Sequence, residues 1–226
     1  MSRLALCLVI TLLTCNAAWA AAVSFTGRIV EVTQDSGGVF TGATINTVFS
    51  ASFTYPDLGG ASTINEPHEA DYEVIGNHSL SQGLTVVTGS EINVNIQDDQ
   101  PLDQEEADFI NALLNPVPPV TAGTPVDTWT IGGLQLGAYE DDPTPGDGDD
   151  TELLFNGVGF EYSLLSLDDT LFNDLSYRPI PPAFDQVDLR VFVVREGDIA
   201  GNLIFEAIGI IDQITPDLIF ANDFED

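Results

Sequence analysis

Lysine is absent from this 226-residue chain, and its five basic residues, Arg3, Arg28, Arg178, Arg190 and Arg195, are all arginines. Without lysine there is no Schiff-base nucleophile, no lysine general base and no phosphate-loop lysine. Cysteine is nearly as scarce: Cys7 and Cys15 are the two present, both close to the N-terminus. The rest of the chain therefore has no disulfide, no thiol nucleophile and no cysteine ligand for zinc or iron–sulfur clusters. Its core must hold it together alone. Histidine occurs twice, as His68 and His78, which read as exposed loop residues rather than a metal pair. His68-Glu69 opens the zinc-protease pattern, but Tyr72 stands where the second histidine belongs. No Gly-x-Ser-x-Gly elbow occurs, and Ser79 has only its neighbour His78 to suggest a nucleophile.

Positive charge is the next deficit. Against the few arginines stand 36 aspartates and glutamates, and the chain carries a formal charge of −31. Such a surface repels nucleic acid and anionic lipid, so both are poor partners and no nucleic acid is expected. It favours solubility, divalent cations and basic partners. With so many carboxylates, a pair suited to glycoside hydrolysis can be drawn almost anywhere, so none singles itself out.

What is present begins with an export signal. Arg3 supplies a basic n-region, residues 4–13 an apolar h-region, and Ala18-Trp19-Ala20 a small-x-small cleavage site. The apolar run is too short to span a bilayer comfortably. We expect residues 1–20 to be a signal peptide, 21–212 a β-domain and 213–226 a C-terminal tail. The mature chain is expected to be secreted, extracellular or on the cell surface, with the periplasm as the other compartment open to it. It should carry no transmembrane helix. Cys15 follows Leu12-Leu13-Thr14, not the Gly, Ala or Ser that lipidation favours, so ordinary export is expected.

The body of the chain alternates. Residues 187–211 read as a β-hairpin at the centre of a sheet. Val187, Leu189, Val191 and Val193 share a fully apolar face, while Asp188, Arg190, Phe192 and Val194 share a mixed one. The cleanest alternation is 47–55, with Phe49, Ala51, Phe53 and Tyr55 opposite Val48, Ser50, Ser52 and Thr54. Further strands are expected at 23–33, 71–75, 84–88, 91–97, 127–131, 134–139 and 153–165, with Gly132-Gly133 separating two of them. The stretch 166–186 reads as irregular. Ile214 to Pro216 should end the last strand, because proline cannot donate to a ladder. Leu218, Ile219, Phe220 and Phe224 then form a small apolar cluster, either a clip on the domain or a sorting tag.

The period changes at one place. Asp103 and Glu106 form a capping-box pattern, and Phe109, Ile110, Leu113 and Leu114 follow at helical spacing up to Asn115-Pro116. The fold class expected is therefore all-β, an antiparallel β-sandwich of jelly-roll type with one short helix near 103–114 across a sheet edge or an end.

One loop invites a metal. Asp141, Asp147, Asp149, Asp150 and Glu152 are candidate calcium ligands, since calcium needs six to eight oxygens from a tightly turning backbone. Counted from Asp141, Gly146 and Glu152 fall where a helix–loop–helix calcium loop has its glycine and last ligand. Pro143 and Pro145 occupy ligand positions, so that motif fails, leaving an irregular calcium site or a solvated acidic turn. No other cofactor is expected.

The opening Phe25-Thr26-Gly27-Arg28-Ile29-Val30-Glu31-Val32, Tyr55-Pro56-Asp57, Leu167-Asp168-Asp169-Thr170 and Pro181-Pro182 resemble a type of secreted bacterial exoprotein that often carries a PEP-CTERM tail processed by exosortase. This chain departs from that type, with no Pro-Glu-Pro, no C-terminal membrane helix and no basic end. Its closing Ile219-Phe220-Ala221-Asn222-Asp223-Phe224-Glu225 is similar to a short Ile-Phe-x-x-Gly-Phe-Glu tail of some exported proteobacterial proteins, with Asp223 in place of glycine. The resemblance implies an extracellular or surface β-domain and carries over no site residues.

The function expected is thus that of an exported, non-enzymatic surface or extracellular-matrix module. The alternative is a calcium-assisted carbohydrate-binding jelly roll with Trp129 or Tyr139 as sugar platform, and a weaker one is a polysaccharide hydrolase. Partners would be polysaccharide or other surface proteins.

Overall fold

A strand that alternates apolar and polar residues has one dry and one wet face, and a sheet of such strands must cover its dry side. Here the sheet covers itself. The computed structural model describes residues 20–56, 62–63, 66–114, 116, 118–140, 154–167, 170–198 and 200–219. Their elements are β1 (Ala20–Asp35), β2 (Val48–Pro56), β3 (Glu69–Gln82), β4 (Thr85–Pro101), α1 (Gln104–Leu114), β5 (Pro125–Glu140), β6 (Leu154–Ser166), β7 (Leu189–Gly197) and β8 (Leu203–Ile219). Each strand pairs antiparallel with the next and β8 returns to β1, closing a barrel. The all-β antiparallel fold with one helix is as expected. The two inner faces anticipated for a sandwich are opposite walls of this single sheet. No helix among the described residues is long and apolar enough to cross a membrane.

Strands run longer than the sequence suggested. Residues 71–75 are only the first part of β3, and 84–88 with 91–97 form one strand, β4. Gly132-Gly133 does not divide β5. A Cβ on Gly133 would come within 2.7 Å of the Phe160 ring and 2.8 Å of His78, so the glycine makes room inside a continuous strand. Nor does Pro216 end β8, which pairs with β1 through Ile219; the barrel therefore includes part of the presumed tail. Ala20 is already paired, opposite Pro56 and Ile219. The rest of the presumed signal, and Phe220 onward, lie outside the described residues.

The bore is solid. Phe25 stacks on Tyr162 with ring centroids 4.5 Å apart, and Tyr162 stacks on Phe192 at 5.5 Å. Phe53 meets Phe25 edge-on at 6.0 Å, and Trp129 lies 6.4 Å from it. All five rings are fully buried. Phe192 fits because Gly27 and Gly209 lie against it, where a Cβ would approach its ring to 2.6 and 2.1 Å. Outer positions of β2, β3 and β4 such as Ser52, Glu73 and Asn93 are exposed and polar. A barrel dry inside and wet outside reverses the pattern of a membrane-spanning barrel.

The hairpin β7–β8 shows which of its two faces is the inner one. Phe192 and Val194 of the mixed face point into the bore, whereas Leu189 and Val191 of the fully apolar face point out. The reason is α1, which lies on the outer wall and buries Leu189 and Val191 with its Ala107 and Ile110. A strand covered on both faces cannot be oriented by hydrophobicity alone. The helix starts as its sequence foretold: Asp103 accepts from the Glu106 amide at 2.8 Å, and Glu106 accepts from the Asp103 amide at 2.8 Å.

Both ends are stoppered. At one, the β1–β2 loop inserts Phe40 against Phe49 and Phe205, at 5.1 and 6.1 Å. Glu196 points inward there and accepts from the Val39 amide at 2.8 Å. Gly38 has φ +97° and passes so close that a Cβ would meet the Glu196 carboxylate at 2.1 Å. At the other end, the irregular stretch before β7 is held by its carbonyls: Trp129 donates to Arg178, Tyr55 to Pro179 and Tyr72 to Leu175. Asp127, fully buried, accepts from the Phe172 amide at 2.9 Å.

Two outcomes follow for stability. The Tyr162 hydroxyl is buried with no hydrogen-bond partner among the described residues. Tyr162→Phe should keep the ring stack and raise stability by about 1 kcal/mol, read by thermal melting, because an unsatisfied buried hydroxyl is lost. A large loss would mean that the hydroxyl is bonded. Deleting residues 213–226 removes the pairing of Gln213–Ile219 with Ala20–Thr26 and should cost more than about 4 kcal/mol. A truncated chain that melts like the full one would refute this closure.

Candidate functional site

With rings filling the bore, the concavity of interest among the described residues lies on the outer wall. An open groove of about 480 Å³ runs across the outward faces of β3 to β7, with α1 as a ledge. Its chemistry follows from register. One cross-strand row is Asp71, Asn95, Thr130, Ser163 and Val191, flanked by Glu69, Gln97, Thr128, Leu165 and Leu189. On the other side lie Asn93, Gly132 and Glu161. The floor thus passes from carboxylates on β3, through amides on β4 and hydroxyls on β5 and β6, to aliphatic side chains on β7. Four strand spacings make it about 19 Å wide.

Internal bonds hold part of this floor still. The Asn95 side-chain amide donates to Glu69 at 2.7 Å and also to Asp71, tying β4 to β3. Thr130 donates to Ser163 at 3.0 Å. Phe109 and Ile110 of α1 supply an apolar wall, Phe109 being half-buried. Among the described residues no basic one lines the groove. Arg28, Arg178 and Arg195 pair with Asp212, Asp174 and Glu206 at 2.8, 3.2 and 2.7 Å, and Arg190 lies over the Phe184 ring at 4.7 Å.

The residues singled out in the sequence are scattered. Asp141, Asp147, Asp149, Asp150 and Glu152 lie outside the described residues. Trp129 is wholly buried and cannot serve as a sugar platform; Tyr139 is in β5, but its side chain is outside those described. His68 is exposed and donates from Nδ1 to the Asp98 carbonyl at 3.1 Å. His78 is not exposed as expected but 3% accessible, inside the barrel wall. Ser79 bonds the Ser52 hydroxyl at 2.8 Å on the outer side, so neighbouring His78 and Ser79 face opposite ways. They form no nucleophile and base.

A carboxylate group that sequence did not single out gathers near the stopper of 170–186. Asp98, Asp99 and Asp127 bring one oxygen each within 4.8 Å of one another, an arrangement that can hold a cation. Both Asp127 oxygens are already engaged, by the Asp99 and Phe172 amides at 2.9 Å. Burial, then the charges of Asp127, Asp99 and Asp174, raise the Asp98 carboxyl above its ordinary range, against Arg178. The group's evident work is to join the β4 bulge to the stopper.

The polar groove residues of β3 to β6 had a signal in the sequence, since each lies on the polar face of its strand. What sequence lacked was the neighbour relation that assembles those faces.

His78 gives the barrel a pH dependence. Its Nε2 donates to the Leu134 carbonyl at 3.1 Å, its Nδ1 has no partner among the described residues, and Phe53 and Phe160 lie beside it. Burial holds its pKa below the ordinary value, against the Leu134 carbonyl and the Glu91 charge. The unfolded chain therefore binds a proton first, at about pH 6.5. Stability is full above that pH and declines as pH falls toward the lower folded value, by at most about 1.4 kcal/mol per pH unit. Melting between pH 7.5 and 5.5 should show this slope, and His78→Leu should flatten it. An unchanged slope in the variant would assign it elsewhere.

Compared with protein-family models, curated proteins and solved structures, the chain matches none.

Proposed function

We propose that this chain is an exported, non-enzymatic β-barrel module of the cell surface or extracellular matrix, which engages its ligand on the outside of the barrel wall. One observation carries the reading: the bore is packed with aromatic rings and stoppered at both ends, while the outer wall bears a broad groove with polar and apolar halves. A binding module needs a presented surface on a rigid support. A continuous sheet under a helix ledge supplies one, because strand-borne side chains are held more firmly than loop-borne ones. The leader-like segment 1–20 supports export, and the resemblance to surface exoproteins points the same way.

In fractionated producing cells, the protein should appear outside the cytoplasm, and the purified chain should co-sediment with extracellular polymer from those cells. It should release no reducing ends from that polymer. Steady release of reducing ends would move the reading to a polysaccharide hydrolase. Co-sedimentation abolished by EDTA and restored by calcium would move it to calcium-assisted binding.

A further inference from the structure

Glycine inside a strand weakens it, and it persists where a neighbour or a ligand needs the space. In this barrel five strand glycines have such a neighbour. A Cβ would meet backbone or ring atoms under 3.0 Å at Gly27, Gly76, Gly89, Gly133 and Gly209. Gly132 is different. A Cβ there would come no closer than 3.4 Å to Glu161 and 3.5 Å to the Phe160 carbonyl, which are ordinary contacts. Its φ is not in the left-handed region either. Neither packing nor backbone conformation asks for glycine at 132, yet it lies in the floor of the outer groove, between Asn93 and Glu161.

Resting on the reading of the groove as the binding face, we propose that it takes a neutral polysaccharide segment, laid across β3 to β7 with one sugar ring seated on the bare backbone of Gly132. Charge selects the class. The groove contains the carboxylates Glu69, Asp71, Glu106 and Glu161 and no basic group, so acidic glycans are repelled. Glu69 and Asp71 already share the Asn95 amide, which lowers their value as partners for a cation. Of the remaining lining, six side chains are neutral amides or hydroxyls and six are apolar. Such a set of acceptors with a few donors is matched by a ligand rich in hydroxyl groups. The gradient of the floor matches the rest of a sugar: its hydroxyls meet Asn93, Thr130 and Glu161, and its C–H faces meet Leu165, Val191 and Phe109.

The test is affinity electrophoresis of the purified full chain in gels cast with dextran, mixed-linkage β-glucan or galactomannan, with alginate as the acidic comparison. At least one neutral gel should retard it, alginate should not, and EDTA should change nothing. Gly132→Val is the informative variant, because valine suits a strand and the space for it is open. Its melting temperature should equal or exceed that of the parent, while its retardation falls at least ten-fold; Asn93→Ala should weaken it in the same direction. No retardation in any neutral gel overturns the ligand class, as does tighter binding of poly-arginine than of every neutral glycan. If Gly132→Val then still abolishes co-sedimentation with extracellular polymer, the groove stands as the binding face and only the ligand class has failed. Retardation untouched by Gly132→Val in a stable variant overturns the proposed seat.

Discussion

The stack of Phe25, Tyr162 and Phe192, with Trp129 and Phe53 against it, is the constraint on which the remaining structure depends. A closed eight-stranded sheet has an interior just wide enough to be filled by side chains, and a barrel whose residues include no cysteine has little else to hold it. Filling it with rings supplies large buried areas and favourable ring–ring geometry. It also dictates where side chains must be missing. Gly27 and Gly209 give Phe192 its place, and Gly133 does the same for Phe160 and His78. The Tyr162 hydroxyl, stranded without a partner among the described residues, is what the packing leaves over.

Because the bore is full, the ends serve as closures and not as entrances. Each uses a different device. The β1–β2 loop is held by a carboxylate from inside, Glu196, which receives the Val39 amide under the close passage of Gly38. Burial raises the Glu196 carboxyl above its ordinary range, against the amides of Val39 and Phe40. The stretch before β7 is held by aromatic side chains reaching out from the wall, so rings that fill the core also satisfy the backbone of a segment with no ladder of its own. The outer wall is then the face free to do something other than hold the fold. The helix raised beside it converts a flat polar sheet into a groove.

Electrostatics narrows what such a face can meet. The arginines among the described residues are engaged with carboxylates or, for Arg190, with a ring. The excess of acid in the sequence is left without compensation. Charge of this sign disfavours contact with polyanions and does not oppose neutral or cationic contact. The groove shares this bias, but its amides and hydroxyls add the directional bonds that bulk charge lacks.

Alternation by itself determined that Phe49, Ala51, Phe53 and Tyr55 are inside and that Val158, Phe160, Tyr162 and Leu164 share a dry face, and the capping box that Asp103 and Glu106 begin the helix. These are local matters: a two-residue period and a four-residue cap need no distant partner. Tertiary structure alone decided the rest. The sequence suggests strand ends at Gly132-Gly133 and Pro216 because glycine and proline weaken a strand on average, and only Phe160 and His78 beside Gly133, and β1 beside Pro216, show why the strands run on. The faces of Leu189 and Phe192 were decided by a helix more than seventy residues away in the chain, since a strand apolar on both sides has no preferred side until something covers one. The groove was beyond reach for the same reason. Its side chains belong to five strands, and which strands lie side by side is a property of the closed sheet, not of any segment in it.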